Sequence, residues 1–216
     1  MKLTQLDTDF ILREIEKYGF CVIKNYLDKN SCEKVASLIE DRISRFTRGD
    51  GMDYRHPNFE NECQITKDFL GDQTIQEICD CYMNTPLIKK RCQAGLVIHD
   101  KNSVVSSGGG WHVDKRSRQF KAILYLSEVS HKSGFFSIIP STSNRLEDFK
   151  TVPKFEGDVS MTRFEAKELE EKNILSSRLD ITGEAGDLIL VDTSNIHRGE
   201  EILEGKRYSL TNYYYN

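Results

Sequence analysis

Residues 186–199, GDLILVDTSNIHRG, followed by residues 207–215, RYSLTNYYY, decide the reading of the fold. The first opens on the turn signal TGEAGD (182–187) and runs into a short apolar, β-branched stretch that reads as a strand. The second alternates: Arg207, Ser209, Thr211 and Tyr213 share one face, and Tyr208, Leu210 and Asn212 the other. Outward from this pair, QAGLVIH (93–99), FKAILYLSEV (120–129), GFFSIIP (134–140) and RLDIT (178–182) have the same short, β-rich character. SGGG (107–110), HKSG (131–134) and LEGK (203–206) mark turns between them.

Before Arg91 the pattern is helical. Leu6, Phe10, Ile11, Ile15 and Tyr18 form one stripe, with Arg13, Glu14, Glu16 and Lys17 opposite, and Gly19 stands where a helix C-terminal glycine belongs. FCVIKN (20–25) reads as a strand. A second helix, capped by Asn30 or Asp28, would bury Val35, Leu38, Ile39, Ile43 and Phe46. Residues 47–72 are polar, contain a turn-forming His56-Pro57, and are expected as an irregular loop. A third helix is expected from about Thr74 to Met83. Helices first and antiparallel strands second predict an α+β domain whose β part is a jelly roll or small barrel. At 216 residues one domain is the economical reading: a helical part about 1–90, and a β core about 91–216 interrupted by a lid-like insertion about 141–173, where EAKELEEK is helical.

Composition excludes several classes. Acidic and basic residues are interspersed, the net charge is −4, and no Lys/Arg tract offers a nucleic-acid or anionic-membrane surface. No window has the apolar length of a membrane span, and the charged first residues lack a signal peptide's apolar core, so a cytoplasmic protein is expected. Cys21, Cys32, Cys63, Cys79, Cys81 and Cys92 contain no CxxC pair and are expected as reduced thiols. Cys79 and Cys81 offer half of a zinc site at most. Oligomeric state is not readable.

The chemistry gathers around GGGWHVDKR (108–116). In a strand, His112 and Asp114 point the same way, and His197 supplies a third donor. Two imidazoles and one carboxylate form the facial triad of non-haem Fe(II) oxygenases, which leaves positions on iron for other ligands. Alone, the tripeptide equally fits a surface turn, with His112 solvated and Asp114 capping a neighbour. Arg207 adds a second element. A guanidinium facing a barrel interior needs an anionic partner, which a ligand carboxylate would supply; an internal Asp or Glu, or a place at the sheet rim, satisfies it as well.

At this point the chain resembles the phytanoyl-CoA dioxygenase family of the Fe(II)/2-oxoglutarate-dependent oxygenases. The similar segments are YGFCVIKNYLDKNSCEKVASLI (18–39), WHVD (111–114), FKAILYLSEVSHKSGFFSIIPSTS (120–143), and GDLILVDTSNIHRG with KRYSLTNYY (206–214). The resemblance implies a double-stranded β-helix, a cupin-like jelly roll. It implies an enzyme using Fe(II), 2-oxoglutarate and O2 to hydroxylate a small molecule. His112, Asp114 and His197 fall on its iron ligands, Arg207 on the arginine that binds the distal carboxylate of 2-oxoglutarate, and Ser209 on the assisting hydroxyl. Lys121 and Tyr125, on the mixed polar face of 120–129, and Gln93 are further candidates for co-substrate contact, with core or rim roles fitting them equally. The family's Pro-Gly-Ser-His is here Pro140-Ser141-Thr142-Ser143, a departure that touches loop shape. A retained aspartate implies hydroxylation, or a desaturating or ring-forming variant, rather than halogenation. A non-catalytic ligand-binding jelly roll and a cupin enzyme without 2-oxoglutarate are the competing readings. His56, His99 and His131 are expected in surface or hydrogen-bonded roles.

Overall fold

The computed structural model describes residues 5–48, 53–100, 110–152 and 162–215. The elements run α1 (Gln5–Tyr18), β1 (Phe20–Ile23), α2 (Lys29–Asp41), β2 (Thr47–Arg48), β3 (Asp53–Pro57), α3 (Gln64–Gly71), α4 (Gln73–Met83), β4 (Lys89–Ile98) and β5 (Phe120–Tyr125). They continue with β6 (Phe136–Ile138), β7 (Thr151–Val152), β8 (Arg163–Phe164), α5 (Ala166–Glu171), β9 (Leu179–Ile181), β10 (Leu188–Asp192), β11 (His197–Gly199) and β12 (Lys206–Tyr215). Seven strands pair in the order β1-β10-β5-β12-β4-β3-β2, and three in the order β11-β6-β9. Every pairing is antiparallel. Two facing antiparallel sheets with helices against one of them make the expected α+β double-stranded β-helix.

Strand alternation divides the large sheet into two chemistries. Cys92, Ala94, Leu96, Phe120, Ala122, Leu124, Leu188, Leu190, Leu210 and Tyr214 point outward and form the main core with buried residues of α1 to α4, among them Ile15, Val35, Ile39, Phe69 and Ile78. The opposite face looks toward the small sheet. There Tyr125, Ile189 and Val191 pack with Ile138 and Ile181 into a second, smaller core that closes one end of the sandwich. The rest of that face is polar and open.

Three expectations needed correction. Phe10 is 52% exposed; α1 buries Ile11 and Ile15 instead, and the side chain of Leu6 lies outside the described residues. The second helix stops at Asp41, with Asp28 as its cap, and Ile43 and Phe46 follow on a 3-10 turn and an extended residue, each only partly buried. The described part of residues 47–72 is not an irregular loop. Asp53–Pro57 is a strand paired with β4, and Gln64–Gly71 is a helix burying Thr66, Phe69 and Leu70. Its polarity misled because β3 sits near the sheet edge. β2 pairs only with Tyr54 and Arg55, so Pro57, lacking an N–H, occupies a position where none is needed.

Gly19 ends α1 as expected, with φ +83° and its N–H on Ile15 O at 2.8 Å. It also passes the loop before β11: a Cβ would stand 2.9 Å from Asn195 Nδ2. Cys79 is buried and Cys81 exposed on α4, and all six cysteines are free thiols. His56 contacts Phe46 and Phe59, His99 Nδ1 meets Ile202 O, and exposed His131 lies against Phe135. Among the described residues, no helix is long and apolar enough to cross a membrane.

Candidate metal centre and cavity

His112 and Asp114 do not lie in a regular strand. Residues 111–114 are threaded between two other segments, held by His112 N to His197 O (2.9 Å), Val113 N to Thr162 O (2.9 Å) and Asp114 N to Thr193 O (3.0 Å). The bridge is reciprocal, since His197 N donates to His112 O, also at 2.9 Å. The i, i+2 relation therefore holds through cross-segment bridging rather than through a strand. It places the two imidazoles with centroids 4.4 Å apart.

His112, Asp114 and His197 present ligand atoms that all lie within 4.8 Å of one another, the only such group among the described residues. His112 Nδ1 is 2.8 Å from Gly110 O, and His197 Nδ1 is 2.9 Å from Asn195 O. With each Nδ1–H donating to its carbonyl, both Nε2 lone pairs are free and aimed at the Asp114 carboxylate, 3.9 Å and 3.5 Å away. Burial pushes both imidazoles below their ordinary range, His112 to about 3, so both are neutral as a cation requires. Burial alone would raise Asp114. Lys121, whose Nζ is 2.5 Å from Oδ2, and the two imidazoles outweigh it and hold the carboxyl well below the usual range.

Asp192, at the end of β10, fixes the loop that delivers His197. Its Oδ1 accepts from Gln119 N, Ser194 N and Ser194 Oγ, and its Oδ2 from Tyr82 Oη on α4 (2.8 Å). Asn195 Oδ1 accepts from the backbone N–H of Thr142 and Ser143, and Thr142 Oγ1 accepts from Ile196 N. The start of the 141–173 segment is thereby tied to the loop that carries His197. Ser141 takes a left-handed φ of 59°, at the position where the resemblance places a glycine, so the turn keeps its shape at a cost of about 1 kcal/mol. Leu146, Phe149, Phe164 and Leu169 of this segment pack with Trp111 and Val113; residues 153–161 lie outside the described residues.

A cavity of about 720 Å³ opens from this centre between the sheets, within the range of small-molecule sites. All eight residues singled out from the sequence line it: His112, Asp114, His197, Arg207, Ser209, Lys121, Tyr125 and Gln93. Registers order its floor. Arg55, Gly95, Ser209 and Tyr125 are lateral neighbours, as are Arg91, Tyr213 and Lys121. Arg207 stands at one end and Lys121, beside Asp114, at the other. Arg207 is 9% exposed and, among the described residues, has no hydrogen bond or carboxylate in ion-pair contact; burial lowers its pKa. Asp53 acts on it only from a distance, because Asp53 is paired with Arg55 at 2.6 Å. The Tyr125 hydroxyl donates to Ile181 O (2.9 Å) and accepts from Phe136 N, tying the sheets together. Gln93 Nε2 donates to Tyr213 Oη at 3.3 Å.

The cavity also contains Arg55, Asp53, Arg91, Thr193 and Phe136, which sequence reasoning missed. Phe136 stacks on His197 at 5.2 Å. The alternation Asp53, Arg55, Pro57 was a period-2 signal within a segment too polar to suggest a strand.

No family model matches the chain, and no curated protein does. Solved structures do match its fold. The epimerase SnoN, in complex with Fe3+, alpha ketoglutarate and nogalamycin RO, superposes with TM-score 0.76 at 13% identity, over 99% of this chain and 85% of SnoN. The antiparallel double-stranded β-helix is thus shared with enzymes of this kind, as a fold. HygX from Streptomyces hygroscopicus, with nickel and 2-oxoglutarate bound, gives TM-score 0.68 at 17% identity, over 100% of this chain and 88% of HygX. A Pseudomonas putida prolyl-4-hydroxylase gives 0.64 at 14% identity, over 97% and 99%.

Proposed function

We propose that the chain is an Fe(II)- and 2-oxoglutarate-dependent oxygenase that hydroxylates an unactivated carbon of a small-molecule metabolite. One observation carries this reading: two neutral imidazoles with the Asp114 carboxylate, and a buried guanidinium that has no carboxylate partner among the described residues, face the same cavity. The donor set, two imidazole nitrogens and one carboxylate, suits Fe(II) and leaves coordination positions open. The lone Arg207 suits the distal carboxylate of a dicarboxylate co-substrate, and the absence of a partner carboxylate among the described residues speaks against a cupin enzyme that uses no such co-substrate.

His112, Asp114 and His197 would hold the metal. When bound, metal and 2-oxoglutarate together supply an oxidant that removes hydrogen from carbon, one oxygen of O2 ending in succinate and the other in product. Arg207 and Ser209 would bind the distal carboxylate, Gln93 would contact the co-substrate along the floor, and the Tyr125 ring would wall that end. Lys121 would orient Asp114, through its ion pair, as well as neighbouring the co-substrate. The insertion 141–173, packed on Trp111, would exclude water from the reaction.

Epimerisation or ring closure begins with the same hydrogen removal. That outcome is the second reading, because SnoN is an epimerase and SnoK, another match, a carbocyclase. The phytanoyl-CoA dioxygenase branch remains our assignment on the motifs alone. Six free thiols support a cytoplasmic location. Fe(II)-loaded protein given 2-oxoglutarate and O2 should form succinate even without a prime substrate; no succinate above a His197→Ala control would defeat the reading in favour of a binding protein.

A further inference from the structure

The chain as a whole carries net charge −4, yet its cavity gathers cations. Arg55, Arg91, Lys121 and Arg207 line it against two carboxylates, Asp53 and Asp114. Arg163 lines it as well and has an interaction of its own. On the reading proposed above, a divalent metal and dianionic 2-oxoglutarate cancel each other, as do the metal and succinate after turnover. Among the described residues a surplus of positive charge therefore persists throughout the cycle.

The surplus can be traced residue by residue. Lys121 is held by Asp114 at 2.5 Å and Arg55 by Asp53 at 2.6 Å. Arg207 awaits the co-substrate. That leaves Arg91, at the start of β4, which among the described residues has neither carboxylate nor hydrogen-bond partner. It is nevertheless held in place. Its guanidinium carbon lies 5.1 Å from the Tyr213 centroid and 5.7 Å from that of Tyr215, and the two rings are parallel to within 6°. Stacking of this kind orients a guanidinium while leaving its N–H edge free for an oxyanion. Tyr213 is also contacted by Lys121, 4.5 Å from its ring, so the same ring connects Arg91 to the metal side of the cavity.

We infer that the prime substrate carries an anionic group, a carboxylate or a phosphate, and that Arg91 on its tyrosine platform receives it at the cavity mouth. This rests on the oxygenase reading, and the test separates the two. Ni(II)-loaded protein is first titrated with 2-oxoglutarate by calorimetry. The 2-oxoglutarate-saturated protein is then titrated with acetate, with methyl phosphate and with neutral acetamide, at ionic strength fixed with chloride. Saturable binding of either anion, weakened tenfold or more in Arg91→Gln and less in Arg91→Lys, with 2-oxoglutarate affinity unchanged, supports the inference; the stronger anion identifies the group. Anion binding no better than acetamide, or equal in Arg91→Gln, overturns it and leaves the oxygenase reading intact. A loss of 2-oxoglutarate affinity in Arg91→Gln also overturns it, by assigning the residue to the co-substrate. Failure of the wild-type protein to take up 2-oxoglutarate overturns both.

Discussion

His112 and His197 exchange two backbone hydrogen bonds of 2.9 Å, and this bridge between residues far apart in sequence sets the distance between two of the three metal-ligand atoms. The site is therefore held by main chain as well as by side chains. Replacing either imidazole should leave the bridge, and so the fold, largely intact while removing a ligand. His112→Ala and His197→Ala should keep the far-ultraviolet circular dichroism of the wild type and bind Ni(II) more than about 100-fold more weakly by calorimetry.

Arg207 is a buried charge with no neutralising carboxylate in contact among the described residues. Without ligand it should cost stability. Arg207→Met should therefore unfold at an equal or higher temperature than wild type when ligand-free, yet lose the stabilisation that 2-oxoglutarate confers on the metal-loaded protein. Its apparent affinity for 2-oxoglutarate should fall by about 100-fold, the equivalent of about 3 kcal/mol of charge-assisted hydrogen bonding, with Ni(II) affinity unchanged.

The carboxylate of Asp192 receives four donors from three segments. Asp192→Ala should destabilise the protein by about 3 kcal/mol, because several buried donors lose their acceptor together. It should also loosen the loop that carries His197 and weaken metal binding about tenfold. Tyr82→Phe, which removes one donor and leaves the backbone contacts, should cost about 1 kcal/mol in urea unfolding.

Gly186 has φ +99°, and a Cβ there would fall 2.0 Å from Leu27 O, in the turn where Leu27 N donates to Gly186 O. Gly186→Ala combines a left-handed backbone with a clash against main chain that cannot rotate away. It should destabilise by more than about 2 kcal/mol in urea unfolding.

The metal-free protein should lose stability in acid through its buried histidines. His112 has a folded-state pKa lowered to about 3 by burial, and His197 is shifted the same way. Between the unfolded value of about 6.5 and these lower values the unfolded chain binds more protons, so stability is fully present above about pH 6.5 and drains away as pH falls. Each group contributes a slope of up to about 1.4 kcal/mol per pH unit. Urea midpoints at pH 7, 6 and 5 should fall steadily, and less steeply in His112→Asn. A flat profile would show that the imidazoles are charged or exposed.

Much of this was legible in the sequence because period-2 alternation is a property of strands irrespective of their partners. Arg207, Ser209, Thr211 and Tyr213 were placed on one face by spacing alone, and all four reach the cavity. Long-range pairing was not legible. Nothing local indicates that 111–114 is held by 162 and 193–197 through backbone bonds, or that Asp53–Pro57 joins β4. A polar strand near a sheet edge, facing a wet cavity, carries the composition of a loop. Phe10 shows the complementary limit: the helical period gives a stripe but not its width, and among the described side chains α1 buries Ile11 and Ile15 while Phe10 stays exposed.

The most direct test is anaerobic addition of Fe(II) and then 2-oxoglutarate to the purified protein, followed by visible absorption. If the proposed function holds, chelation of iron by the co-substrate, with Arg207 holding its far end, should produce a visible charge-transfer band. The band should appear in wild type, be absent in His197→Ala and be lost or strongly weakened in Arg207→Met. A wild-type protein that stays colourless while binding iron, or a band indifferent to Arg207, would contradict the account.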